Sequence, residues 1–139
     1  MSLIDKLMAI DSGAYAKEKT AKVKSNCLSE ALGEETMVTI KALSGEEYTD
    51  ITMNMVDRKG RADFSKAYRQ YKLICAAGVV EPDLKDAQLQ KHFGVASPAD
   101  LAAALFKGGE LQDIAGEITK LSGFAPENED EDEEAEVKN

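Results

Sequence analysis

The sequence predicts a helix-dominated α+β domain with one β-hairpin in its N-terminal third and a disordered acidic C-terminal tail. Three observations carry that prediction. Apolar residues recur at steps of three and four through most of the 139-residue chain. One stretch, Thr36 to Leu43, instead alternates Val38, Ile40 and Ala42 with Thr39, Lys41 and Leu43, the period of a strand. Residues 127–139 hold eight acids and only Lys138, and lack large apolar residues apart from Val137, so nothing there offsets the entropy of ordering. The division is therefore a single small helical domain over residues 1–126, with a mobile N-terminal segment, and a disordered tail over 127–139.

In chain order, residues 2–10 place Leu3, Ile4, Leu7 and Met8 on one face of a short helix, which Asp11 to Gly13 breaks. Ala14 to Lys24 is lysine-rich with few large apolar residues and reads as a mobile or partly ordered connection. Residues 21–28 alternate well enough for a strand, and with Thr36–Leu43 and the connection at Gly33 they would form the hairpin. A lone hairpin is marginal in water, so it must pack on the helices. Ser44 and Glu47 form an S-x-x-E capping box. Tyr48, Ile51, Thr52 and Met55 follow at helical spacing; Ile51, Met53 and Met55 also fit a strand, and the cap decides for helix. DRKGR at 57–61 is a turn. Asp63 opens a long helix carrying Phe64, Ala67, Tyr68, Tyr71, Ile74 and Cys75 on one face, stopped by Gly78.

Val79 to Asp86 contains Glu81-Pro82 and reads as a loop. Lys85 to Phe93 is a short helix with Leu89 and Phe93 inward, ended by Gly94. Ser97, Pro98 and Asp100 then give an N-cap, a first-turn proline and an acidic first turn. Leu101, Ala102, Leu105 and Phe106 form the apolar face of that helix, and Gly108-Gly109 ends it. The last helix carries Leu111, Ile114, Ala115, Ile118 and Leu121, is closed by Gly123, and lets Phe124 fold back over its final turn.

Charge and composition exclude several functions. The net charge is −9, of which residues 127–139 supply −7 and the preceding 126 residues −2; a body this near neutral argues against a nucleic-acid binder, which would show a basic face. No run of about 18 apolar residues is present to span a membrane. The N-terminus lacks the pattern of a signal peptide. Two cysteines far apart, outside any C-x-x-C pattern, fit a reducing cytoplasm.

Catalytic and ligand-binding constellations are equally thin. The single His92 has no partner legible in sequence, Cys75 lies on an apolar helix face, and no phosphate loop or EF-hand spacing occurs. No metal, cofactor or enzyme activity is expected. What remains is the apolar stripes. Burying a leucine or isoleucine is worth about 1.5–3 kcal/mol, so Leu101, Leu105, Leu111, Ile114, Ile118 and Leu121 carry several kcal/mol toward whatever covers them. They either close the domain's own core or present a face to a helical partner.

The order of MSLIDKLMAIDSG, VTIKALSGEEYTDI, a tyrosine-rich helix, EPDLKDAQLQKHFGV and GELQDIAGEITKLSGF resembles the XkdN-like tail assembly chaperones of phages and prophages of Gram-positive bacteria. The resemblance runs over residues 1–124 and rests on apolar, glycine and acidic patterns, with IKALSGEEYTDI, Glu81-Pro82-Asp83-Leu84, Gly109-Glu110-Leu111 and Leu121-Ser122-Gly123 its strongest parts. It implies a non-enzymatic protein of the host cytoplasm that binds the tape measure protein and keeps it soluble during tail tube assembly. It also implies absence from the mature virion and, in many members, a longer frameshifted form. Contact with the tail tube protein and weak homo-oligomerisation go with that role. Competing readings are an acidic inhibitory decoy and a structural tail component of a prophage.

Overall fold

The computed structural model describes residues 2–53, 59–60 and 66–124. The expectations for Met55, for most of the 57–61 turn, for Asp63 and Phe64, and for the 127–139 tail lie outside the described residues. Within them the chain forms eight helices and a three-stranded antiparallel sheet of order β1-β2-β3. The helix-dominated α+β class is as the sequence predicts.

The expected hairpin pairing is present, with different edges. β1 (Thr20–Lys24) pairs with β2 (Met37–Lys41), Ala21 opposite Ile40 and Val23 opposite Val38. The proposed strand residues 25–28 instead begin a helix. Ser25 leaves the strand, its Oγ accepts from the Leu28 amide, and α3 (Asn26–Leu32) runs to Gly33 at φ 73°. A serine cap and a left-handed glycine bracketing seven residues are helix punctuation, which a reading by alternation alone passes over. In the connection read over Ala14–Lys24, the end of α2 (Ser12–Ala16), capped by Asp11, occupies the start and β1 occupies the end.

Val79–Asp86, read as a loop, opens with β3 (Val79–Glu81), which pairs with β2 through Val79 opposite Ile40. Three residues are too few for a period to emerge; only a free β2 edge makes them a strand. The helices at Ser44 and Asp86 start as their caps dictate, α4 (Gly45–Thr52) on Ser44 Oγ and α6 (Ala87–His92) on the Asp86 carboxylate. Gly94, with φ 72°, follows the end of α6, but Phe93 is exposed rather than inward while Leu89 is half-buried.

Three helices pack together, and the last of them lies on the sheet. They are α5 (Ala67–Gly78), α7 (Pro98–Leu105) and α8 (Glu110–Leu121). The inner row Ala21, Ile40 and Val79 and the neighbouring Val38 meet Ile74, Cys75, Leu101, Phe106, Leu111, Ile114 and Ile118 in one core. Gly78 lets α5 touch α8. A Cβ at this position would stand 2.7 Å from both Cδ1 and Cγ2 of Ile118, which is itself fully buried.

Both ends of α8 are pinned to the hairpin. At its start the Glu110 carboxylate accepts from Ser25 Oγ at 2.7 Å and from the Asn26 and Cys27 amides, which fixes the open N-terminus of α3. At its end Ser122 Oγ donates to the Ile118 carbonyl at 2.6 Å and accepts from the Leu43 amide at 2.8 Å. Phe124 then stacks on Tyr48 of α4, ring centroids 4.2 Å apart. α8 therefore lies along the inner face of the hairpin from the Ser25 end to the Leu43 end.

Candidate functional site

The six residues proposed for a partner do not form a surface in this conformation. Leu101, Leu105, Leu111, Ile114 and Ile118 are buried core residues, and Leu121 is half-buried against them. The stripe closes the domain because α8 has the sheet and α5 to pack on and α7 has α5. A stripe at helical spacing carries no mark of which surface will cover it.

The opposite situation holds at the N-terminus. α1 (Leu3–Met8) is built by local capping: Ser2 Oγ accepts from the Asp5 amide at 3.2 Å, and the Asp5 carboxylate accepts from the Ser2 amide and hydroxyl at 3.3 and 2.9 Å. Its apolar residues Leu3, Ile4, Leu7 and Met8 are 71%, 72%, 55% and 81% exposed. Ile10 and Tyr15, on the same segment, are also exposed, and every residue from Ser2 to Thr20 is solvent-facing. A helix of this length has little stability of its own in water. Four large apolar side chains held at the spacing of one helical face are the signature of a segment that packs on something else. The sequence showed the face; that it stays exposed among the described residues is decided by the tertiary structure.

The groups with chemical potential are occupied or inert. Burial pushes the Cys75 thiol up to about 12, and its Sγ faces the Leu111 carbonyl at 3.6 Å. Cys27 is shifted the same way, chiefly by desolvation, and its thiol meets the Lys107 carbonyl at 3.6 Å. Both thiols are thus protonated at neutral pH, the poor form for a nucleophile. His92 lines an open depression with Asp83, Asp86, Gln88 and Leu89, and its ring meets Phe93 edge-on. The two carboxylates there are engaged by the Lys85 and Leu89 amides of the adjoining turn and helix. Among the described residues no group of three or more His, Cys, Asp or Glu is placed to hold a metal ion, and no helix is long and apolar enough to cross a membrane.

Comparison with known proteins gives two findings. The sequence profile of the phage XkdN-like tail assembly chaperone proteins matches residues 4–138, nearly the whole chain. The crystal structure of the protein YqbN superposes with a TM-score of 0.55 at 17% identity, over 84% of this chain and 98% of that one, a likeness of fold. No curated protein matches the chain.

Proposed function

The chain belongs to the phage XkdN-like tail assembly chaperone family, and from that premise we propose that its client is the tape measure protein. Its work lies in phage tail assembly, with protein partners. In this reading the chain binds the tape measure protein, a long and mostly helical client, and keeps it soluble while the tail tube forms around it. It acts in the host cytoplasm, without catalysis, and leaves before the virion is complete. The tail tube protein is a second, transient contact, and copies arrayed on one client touch one another weakly.

One observation carries the proposal: the uncovered apolar face of Leu3, Ile4, Leu7 and Met8, with Ile10 and Tyr15 beyond it. A helical client offers apolar stripes that need cover, and a short amphipathic helix held off the body supplies one. Burial of those side chains contributes roughly 1.5–3 kcal/mol each before the entropy of association is subtracted. The core helices need not open for this.

The test is co-expression with the tape measure protein of the same genome, followed by pull-down and light scattering. Soluble complexes with several copies of this chain per client are expected. The double change Ile4→Asp with Leu7→Asp is expected to return the client to the insoluble fraction while the chaperone stays folded. A client that is kept soluble equally well by that variant would move the binding face elsewhere. A client that never associates with the unaltered chain would remove the proposal.

A further inference from the structure

The two edges of the sheet are not alike. β3 is three residues long, its register with β2 shifts between Thr39 and Ile40, and Pro82, which has no N–H to donate, follows it. A short, bulged strand stopped by proline is a poor template for another strand. β1, at the other edge, pairs regularly with β2 over all five of its residues. The Ala42 amide donates to the Lys19 carbonyl at 2.8 Å and the Ser25 amide to the Thr36 carbonyl at 3.0 Å, continuing the ladder by one residue at each end. These bonds fix its phase. In an antiparallel ladder alternate residues turn their backbone groups toward the partner, so Lys19, Ala21, Val23 and Ser25 face β2. The N–H and C=O groups of Thr20, Lys22 and Lys24 therefore point away from it, along an edge that no described strand covers. All three residues are exposed.

The length and the charges of this stretch suit a second copy of itself. Residues 18–24 lie between two helices, α2 with Lys17 at its C-cap and α3 with Ser25 at its N-cap. Outward backbone groups meet outward groups only when even-numbered residues oppose even-numbered ones. One such antiparallel register of two copies uses the whole stretch without running into a helix. It sets Glu18 opposite Lys24 and Thr20 opposite Lys22, with Ala21 on the twofold axis. The same register places the one acid of the stretch against a lysine of the other copy, twice. Sliding by two residues one way sets Lys22 against Lys22, and like charges directly opposite are unfavourable. Sliding the other way runs Lys24 into Ala16 of α2. Glu18 already meets Lys41 at 3.5 Å through Oε2. A carboxylate accepts from two ammonium groups, so that pair within each copy persists. On the core side, half-buried Ala21 meets its own counterpart, and the Lys19 stem lies over half-buried Val23.

We propose that two copies of this chain pair edge to edge along β1, antiparallel about a twofold axis at Ala21, with Glu18 of each copy opposite Lys24 of the other. The strands β3-β2-β1-β1-β2-β3 then form one six-stranded sheet, an ordinary size. The interface is isologous and closes at two copies. It is a narrow contact, held by the backbone groups of Glu18, Thr20, Lys22 and Lys24, so the dimer is weak. The lysines serve its specificity, since the neighbouring registers set lysine against lysine or run into a helix. The proposal deepens the functional reading above, resting on it for the weak contact between copies, and names the surface they use.

The test uses the full chain alone, by sedimentation equilibrium and by amide hydrogen exchange at rising concentration. A monomer–dimer equilibrium is expected. In the dimer the amides of Glu18, Thr20, Lys22 and Lys24 should gain protection, while those of Ala21 and Val23, already turned to β2, change little. Lys22→Pro removes an outward donor at an edge position where proline is tolerated, and should give a monomer that is folded by circular dichroism. Glu18→Lys should raise the dimer dissociation constant about two- to thirtyfold, two exposed ion pairs being lost. Adding Lys24→Glu reverses both pairs and should restore the dimer, a rescue that the Lys41 contact within each copy would not produce. A chain still monomeric at millimolar concentration, a dimer that leaves the four amides unprotected, or a double swap no tighter than Glu18→Lys alone would each overturn the proposal. So would protection that appears only with the tape measure protein present, which would assign the edge to the client. A monomeric chain that still keeps the client soluble overturns this contact alone; a dimer that never associates with the client overturns the client reading alone.

Discussion

Two amphipathic regions of this chain meet opposite fates. Leu3, Ile4, Leu7 and Met8 on α1 and Leu111, Ile114 and Ile118 on α8 are drawn from the same residue types at the same helical spacing. The first set is 55–81% exposed and the second 0–2%. What differs is the neighbourhood. α8 is fixed at both ends, by Glu110 on the start of α3 and by Ser122 on Leu43, and it lies between α5 and the sheet. Among the described residues, α1 is held by its own capping box. A helical stripe is thus a demand for cover, and the rest of the chain decides whether the cover is intramolecular.

The strongest way to break the comparison is to place charge in both regions. Changing Ile114 and Ile118 to Asp buries two carboxylates without partners, and loss of the folded state is expected in circular dichroism. Changing Ile4 and Leu7 to Asp should leave the melting transition within about 0.5 kcal/mol of the parent. Unfolding of the second variant, or survival of the first, would erase the distinction between the covered and the exposed face.

A finer probe of the covered region is Gly78→Ala. The new Cβ meets two carbons of Ile118 at 2.7 Å, and Ile118 is enclosed, so destabilisation of about 1–3 kcal/mol is expected from denaturant melts. Combining it with Ile118→Ala should cost less than the sum of the two single changes, because the truncated side chain admits the methyl. Strict additivity would mean that the α5–α8 approach is not what Gly78 serves. Glu110→Ala removes the acceptor of the Ser25 hydroxyl and of the Asn26 and Cys27 amides. A loss of about 1–2 kcal/mol is expected, with hydrogen exchange accelerated first in α3.

The smallest effect belongs to the surface. Lys72 Nζ donates to Asp100 Oδ1 at 2.7 Å, joining α5 to α7, and this bond, followed by that from Ser97, holds the Asp100 carboxyl below its ordinary value of 3.8. A depressed carboxyl favours the folded state above the unfolded-chain pKa and loses that contribution as pH falls through the folded value. Stability should therefore be flat in this respect above about pH 5 and fall below about pH 4. Asp100→Asn should flatten part of that acid limb and change little at neutral pH.

Much of the architecture was legible because its signals are local. Ser44, Asp86 and Ser97 each start a helix through a side-chain oxygen on an amide three residues ahead, and Gly94 and Gly123 adopt positive φ just beyond helix ends. The pairing of β1 with β2 followed from alternation at Val38 and Ile40. The failures share a cause. β3 is a strand only because β2 offers it a partner, and α3 lay hidden under an alternation that Ser25 interrupts. Phe93 is exposed despite its spacing with Leu89 because none of the described elements covers that side of α6.

The candidate site was legible in part. The α1 face was plain in the sequence, as were the apolar stripes of α7 and α8, but the stripes were offered as the partner surface and α1 was not. Nothing in the residues 101–121 distinguishes a core stripe from a client stripe, since periodicity reports only that one side avoids water.

By itself the sequence determined where helices begin and end, which of their sides are apolar, and how charge divides between body and C-terminal segment. These depend on contacts within a few residues. Only the tertiary structure decided which apolar sides are satisfied, because burial is a relation between segments far apart in the chain. It enclosed Ile118 beneath Gly78, bound Glu110 to Ser25, and left Leu3, Ile4, Leu7 and Met8 facing water.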